Sequence, residues 1–328
     1  MKPAVLYRNK KILLLIIVLL CIISHQAAPL YKVLIPAVLK QGSAYFIECA
    51  GFPSGCSLQF EFSDKTKSPK FPLVRFYSWK DRYYGKQQRN TIAAFVCGIH
   101  PLAALGTAKI TIFDKENTVI YTQPVTITAE NWQKEDVYLN STLTELVTKP
   151  DPEKEAQAKR YQEILATINP FGIWLTKPLE FPVSKPRITS QFGIQRRYLY
   201  ANGSKSITFH AGIDFGKEKD TTIYASGSGR VVLAEKRIVT GNTVIIEHLP
   251  GVYSIYMHMD SLAVAPHGTV RAGMPIGIMG STGLATGTHL HWEVRICTVP
   301  VNPLSLMHID FFSKLHTIVE TQEGGDFD

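Results

Sequence analysis

The sequence predicts a mainly β protein made of two β-rich regions joined by a helical linker. Three observations predict it. Between Tyr31 and Ala129, short β-branched and aromatic runs such as "AYFIECAG", "SLQFEFS", "TIAAFVCGI" and "TAKITIFD" alternate with Gly, Pro, Asn and Asp turns. From Ser141 to Asn169 the text changes to helix formers, as in "PDPEKEAQAKRYQEILATI". From Phe181 to Met307 a second, glycine-rich β pattern follows, with "RVVLAEKR", "TVIIEHL", "VYSIYMHM" and "HLHWEVRI" as strands.

Bulk composition sets the frame. The 328 residues suit two domains and a linker, and 45% apolar against 19% charged residues is enough to bury cores, which excludes a disordered chain. The formal charge of +8 favours an anionic partner, but no Lys/Arg block exceeds a pair, which argues against nucleic acid.

The N-terminus narrows the compartment. Lys2, Arg8, Lys10 and Lys11 precede an unbroken apolar run from Ile12 to Ile23. That run fits the apolar region of an export signal and is short of the about 20 residues of a spanning helix. Ala27 and Ala28 suit the position before a cut, whereas His25 and Gln26 two residues earlier do not. Residues 1–28 are therefore expected to be either a cleaved signal peptide or an N-terminal membrane anchor, and Leu20 before Cys21 speaks against lipid attachment. The protein is expected in the periplasm or cell envelope, free or held at the inner membrane. Beyond the signal remain Cys49, Cys56, Cys97 and Cys297. Two disulfides, one of them between domains, or one disulfide and two free thiols both fit, and no Cys-x-x-Cys pair supports a thiolate zinc site.

The expected organisation is residues 29–135 as a β-sandwich-like accessory domain, 136–180 as a helical linker, 181–310 as the second β domain, and 311–328 as a tail ending in "EGGDFD". Short strands at this spacing suggest a sandwich in the first region. In the linker, Asp151 is the expected N-cap and Pro152 the first helical residue, and Asn169–Pro170 stops the helix. His100, beside Pro101 in a loop, reads as structural.

The chemistry lies in the second β region. In "HAGIDFG", His210 and Asp214 are four apart around Gly212, an even offset that returns both side chains to one face of an extended segment. In "THLHWEVRI", His289 and His291 share one strand face, and Leu290 and Trp292 take the other, towards a core. In "YSIYMHMD", His258 shares strand alternation with Tyr256. These segments supply four histidines and one carboxylate. A catalytic zinc site takes three protein ligands and leaves one position open, so two histidines remain for proton handling.

The ordered segments "ITSQFG … HAGIDFG … ASGSGRVV … GNTVIIEH … YSIYMHM … GSTGLATGTHLHWEVR … VNPL", covering about Phe181 to Leu304, resemble the LytM/lysostaphin-type zinc endopeptidase family. The preceding β domain and linker resemble, more loosely, the N-terminal extension of some secreted members. The resemblance implies a compact antiparallel β sheet with an open groove over one Zn2+ per chain. It implies His210, Asp214 and His291 as metal ligands, His289 as general base, and His258 as a helper that orients water or stabilises the oxyanion. The implied substrate is the peptide part of bacterial peptidoglycan. Met259 stands where members often carry Leu, and Thr288 where Pro is common. Ile194 and Gln195 precede Arg196 and Arg197 where an Arg often follows the "FG" more closely, which leaves the role of that Arg open.

Other residues have plainer readings. His248 after "TVIIE" is expected to be structural and His267 exposed in a turn. Glu293 falls on the His289 and His291 face and could orient a ligand imidazole, though a surface carboxylate is the simpler account. The glycines of the second region form no phosphate cradle, since no Lys-Ser/Thr closes one. The expected activity is zinc-dependent hydrolysis of peptidoglycan cross-links. A non-catalytic adaptor that regulates another wall hydrolase, and a zinc peptidase acting on proteins, are the competing readings. The accessory domain is expected either to bind wall or partner proteins or to hold the enzyme latent.

Overall fold

A computed structural model describes residues 31–76 and 92–308 of the chain. The expected export segment at 1–28 and the tail at 311–328 lie outside the described residues. The architecture is mainly β, as the sequence implies.

The first region forms eight strands: β1 Lys32–Leu34, β2 Val38–Lys40, β3 Ala44–Ala50, β4 Ser57–Glu61, β5 Phe71–Phe76, β6 Ile92–Gly98, β7 Gly106–Phe113 and β8 Val119–Thr128. They run in the order β1-β3-β6-β5-β4-β7-β8-β2. Strand β5 bonds β6 from Leu73 onward and β4 only through Phe71 and Pro72, so the sheet turns over there into two halves. Ile47 and Phe95 from one half share a core with Leu58, Phe60, Ile110 and Ile127 from the other, and this makes the region sandwich-like.

Strand β9 Lys134–Tyr138 follows, then helices α1 Ser141–Thr148 and α2 Pro152–Ala166. Asp151 caps α2 by accepting from the backbone N–H of Glu153 and Lys154, with Pro152 in its first turn, as its sequence predicts. The shorter α1, capped by Asn140, is additional to the single helix expected. Helix α2 buries Leu165 and packs Tyr161 and Ile164 on Leu233, Ile245, Tyr253, Ile255 and Met257 of the second β region.

That region contains β10 Ile188–Ser190, β11 Gln195–Leu199, β12 Lys205–Phe209, β13 Gly212–Gly216, β14 Thr222–Tyr224, β15 Gly229–Arg237, β16 Gly241–Leu249, β17 Val252–Leu262, β18 Thr269–Val270, β19 Pro275–Met279, β20 His289–Ile296 and β21 Val299–Val301, then a 3-10 turn Pro303–Leu306. The main sheet runs β10-β13-β20-β17-β16-β15-β18 with antiparallel neighbours. A separate sheet β12-β11-β9 borrows β9 as a parallel partner of β11. Among the described residues no helix is long and apolar enough to cross a membrane.

The two β regions share one apolar core. A Cβ on Gly98, at the end of β6, would lie 2.8 Å from a Val301 methyl, and the Asn302 N–H donates to the Gly42 carbonyl at 2.6 Å. Neither disulfide scheme forms: Cys49, Cys56, Cys97 and Cys297 are free thiols. Burial pushes the Cys49 and Cys297 thiols up to about 12, so they stay protonated and unreactive.

Candidate metal centre

The centre is built where β13 and β20 pair. Their register sets Asp214 opposite His291, Gly212 opposite Glu293 and Gly216 opposite His289. The odd-numbered residues of β20 from His289 to Arg295 face the groove and α2, and Leu290, Trp292, Val294 and Ile296 enter the core. The two glycines beside Asp214 keep this face low. A Cβ on Gly212 would come within 2.4 Å of the Trp292 carbonyl oxygen and 2.9 Å of His291 Nε2.

His210 enters from the segment just before β13, pinned by its N–H to the Ile194 carbonyl at 2.7 Å. Its Nδ1 lies 2.7 Å from the Gln191 carbonyl oxygen. A carbonyl only accepts, so the proton sits on Nδ1 and Nε2 is free to ligate. That Nε2 lies 3.0 Å from Asp214 Oδ1 and 2.9 Å from His291 Nδ1, and the last two are 2.8 Å apart. Donor atoms of a tetrahedral zinc site, each ~2.0 Å from the ion, lie about 3.3 Å apart. An opening of a few tenths of an ångström converts one arrangement into the other. The three residues, all buried, can hold a metal ion.

The electrostatics favour a positive charge at the triangle, held by a His291 proton that a bound ion would displace. Burial alone would raise the Asp214 carboxyl, but its close contacts with the His210 and His291 rings outweigh it and keep it ionised far below the usual range. Burial opposes charge on His291, yet Asp214 and Glu293 on either side raise it to about 9. Burial lowers His210.

Behind two of the three candidate donors stands a further polar group. Arg196 Nη2 donates to Asp214 Oδ2 at 2.6 Å and to Ser190 Oγ at 2.8 Å, leaving Oδ1 on the donor side. Glu293 Oε1 accepts from His291 Nε2 at 3.0 Å. Glu293 is buried and not a surface carboxylate: Arg295 Nε donates to its Oε2 at 2.7 Å and Tyr161 Oη at 3.2 Å. The charge of Arg295 and the His291 hydrogen bond overcome burial and hold its pKa at about 2.

His258 and His289 complete the groove, with ring centroids 4.9 Å apart. His258 Nδ1 is 2.8 Å from the Thr282 carbonyl, and His289 Nδ1 is 2.8 Å from the Gly287 carbonyl. Both rings therefore carry a proton on Nδ1 and turn Nε2 to the groove. His289 Nε2 stands 3.9 Å from Asp214 Oδ1. Burial, then the charges of His291 and His289, lower His258 to about 3 and keep it neutral. Strict alternation would put His258 beside Tyr256, whose hydroxyl is buried against Ser226. A bulge prevents this: three steps from Tyr256 to Met259 face two from Val244 to Asn242, and His258 takes φ +61°. The extra residue turns it into the groove.

All five sequence-predicted residues, His210, Asp214, His258, His289 and His291, thus meet at one groove of about 560 Å³. Arg196 takes a definite place on Asp214. Glu135 and Tyr161 carried no sequence signal, since Glu135 ends the expected accessory domain and Tyr161 lies in the expected linker, both remote along the chain. His248 is buried between the Ser228 carbonyl and Ser254 Oγ, His267 is an exposed turn residue, and His100 accepts from the Leu102 N–H. None of these three lines the groove.

Residues 208–303 match the model of peptidase family M23. The C-terminal domain is an M23 peptidase domain. Over 125 residues the chain is 38% identical to the DD-carboxypeptidase/endopeptidase Mpg of Neisseria meningitidis and 36% identical to the peptidoglycan DD-endopeptidase ShyA of Vibrio cholerae. In each case the match covers 38% of this chain and only 28% of the relative. A solved chain from Pseudomonas aeruginosa assigned to peptidase M23 superposes with a TM-score of 0.55 over 81% of this chain and 93% of its own, at 20% identity. At that identity the likeness concerns the fold, and it extends beyond the M23 domain.

Proposed function

We propose that the chain is a zinc metalloendopeptidase that hydrolyses peptide cross-links of peptidoglycan outside the cytoplasmic membrane. The observation that carries this reading is the pairing of a compact His210, Asp214, His291 donor set with two further imidazoles, His258 and His289, that are held through Nδ1 by backbone carbonyls and line the same groove. A binding protein needs the first; hydrolysis of an amide needs both. When bound, the zinc ion supplies a Lewis acid that polarises the scissile carbonyl and acidifies a water.

The remaining roles belong to the protein. His289 Nε2 is the accessible acceptor for the water proton, which then passes to the leaving nitrogen. His258 keeps Nε2 unprotonated, so it acts as an acceptor that orients the water O–H; an oxyanion would need a donor there. Leu284, Thr286, Tyr198 and Phe209 also line the groove and would offer apolar contacts to a peptide. The peptidoglycan substrate is supported by the DD-endopeptidase names of the relatives and by the basic, apolar N-terminal run.

The non-catalytic adaptor reading requires a damaged site. Here every ligand and both proton-handling imidazoles are present, which favours the enzyme. The test is digestion of purified cross-linked sacculi, with muropeptides analysed and zinc content measured on the same sample. Loss of cross-linked muropeptides that stops with a chelator and returns with zinc is expected. Intact cross-links beside a cleaved protein substrate would replace the peptidoglycan reading with a general peptidase, and no cleavage of either would leave the adaptor.

A further inference from the structure

Two of the three donor side chains are braced from the segment between the β regions. On one side, β9 and β11 pair in parallel with Glu135 opposite Arg196. Glu135 Oε2 accepts from Arg196 Nε at 3.3 Å, and Arg196 Nη2 holds Asp214 Oδ2 at 2.6 Å. On the other side, Tyr161 in α2 donates to Glu293 Oε2 at 3.2 Å, and Glu293 Oε1 holds His291 Nε2 at 3.0 Å. Each chain of contacts ends on the face of the ligand that points away from the donor triangle. Asp214 keeps Oδ1 for the triangle, and His291 keeps Nδ1.

We propose that β9 and α2 are working parts of the metal centre, in which Glu135 and Tyr161 are positioning residues: Glu135 fixes the Asp214 carboxylate through Arg196, and Tyr161 fixes the His291 tautomer through Glu293. This rests on reading His210, Asp214 and His291 as a zinc site. Partners behind the ligands set ring orientation and ligand basicity, and their loss weakens metal binding. The geometry gives Tyr161 no substitute. Glu293 is buried under α2, so water cannot replace the hydroxyl, and Arg295 Nε is then left as the one side-chain donor on Oε2 among the described contacts. Glu135 restrains an arginine that would otherwise rotate Asp214 with it. The linker is thereby part of the centre as well as a tether, and only five residues separate the end of β8 in the accessory sheet from the start of β9. A shift of that sheet would reach Asp214 through Glu135 and Arg196.

The test uses the full chain with Tyr161→Phe, Glu135→Gln and both together, and Lys159→Ala on the exposed side of α2 as control. Melting curves establish folding, and zinc affinity is measured by competition with a chromophoric chelator. Each single variant is expected to bind zinc several-fold more weakly and the double variant about 10-fold or more, with the control unchanged. The 15N spectrum of the wild type is expected to show His291 protonated at Nε2, with that resonance shifted in Tyr161→Phe. A folded double variant with wild-type zinc affinity would overturn the positioning roles. If Tyr161→Phe fails to fold, Glu135→Gln still tests the Asp214 arm, and an unprotonated His291 Nε2 in the wild type would overturn the bond to Glu293 on which the Tyr161 arm depends. A wild type that binds no zinc overturns the metal-site reading itself, which is a distinct outcome.

Discussion

His258 Nδ1 lies 2.8 Å from the Thr282 carbonyl oxygen, and its backbone N–H donates to the Thr240 carbonyl at 2.9 Å. The two contacts hold a non-glycine residue at φ +61°, a conformation that costs about 1–3 kcal/mol and persists only when its surroundings enforce it. The strain is spent on aiming Nε2 into the groove beside His289.

Neither His258 nor His289 belongs to the donor triangle, so metal binding and proton transfer should separate. His289→Ala is expected to keep its zinc and lose cleavage of cross-linked muropeptides by about 10²-fold or more. His258→Ala should also keep zinc and lose activity. Zinc content and muropeptide profiles of both variants check this. Loss of zinc in His289→Ala would mean that the roles of His289 and His291 are exchanged.

Much of this centre was legible because strands obey a period of two. The offset between His289 and His291 puts those side chains on one strand face, and the β13–β20 register sets Asp214 against His291, whereas His210 precedes β13 and reaches the triangle from a connecting segment. The rule fails at His258, where a bulge inserts one residue, and nothing in "YSIYMHMD" marks a bulge. Glu293 was placed on the right face, but its burial was not readable, because that depends on α2 arriving from more than a hundred residues away in sequence. The same holds for Arg196, whose neighbour Glu135 comes from β9, the parallel partner of β11 in the sheet β12-β11-β9. Disulfides failed as an expectation because cysteine parity says nothing about where burial puts each thiol.

Gly212 is the tightest point of the site. Its Cβ would meet the Trp292 carbonyl and His291 Nε2 at once, and neither is the far end of a flexible side chain. Gly212→Ala is expected to displace His291, cost about 1–3 kcal/mol by overpacking, and lower zinc occupancy. Gly287→Ala, where a Cβ meets nothing within 4 Å, is the control. Chemical unfolding and zinc stoichiometry of the two variants test the contrast; equal behaviour would show that β13 and β20 part without penalty.

His248 gives the fold a pH dependence that is independent of the metal centre. Burial lowers it to about 4, against the bonding of its ring to the Ser228 carbonyl. The unfolded chain has it near 6.5, so between 6.5 and 4 the unfolded state binds more protons, and stability falls as pH falls. The loss across that window is ~3 kcal/mol for this one group. Above pH 6.5 its contribution is complete and flat. Urea unfolding between pH 7.5 and 4 should show the decline, and His248→Gln should flatten it. An unchanged slope in the variant would assign the pH dependence to other groups.

Truncation separates the linker from the accessory sheet. Among the described residues the groove is lined by Glu135, Val137 and Leu139 of the linker region but by nothing from β1–β8. A fragment of residues 181–308 lacks α2 and uncovers Leu233, Ile245, Tyr253, Ile255 and Met257. Burying one large apolar side chain is worth about 1.5–3 kcal/mol, so removing both Leu165 and Tyr161 should cost several times RT and lower the unfolding midpoint clearly. The same cut removes Glu135 and Tyr161 from behind Asp214 and His291. A fragment of residues 131–308 keeps both and should bind zinc and cleave sacculi far better than 181–308. Equal midpoints and equal cleavage rates for the two fragments would show that the M23 domain is complete without the linker. If the longer fragment instead outpaced the full chain, the accessory sheet would be a restraint acting by some route other than covering the groove.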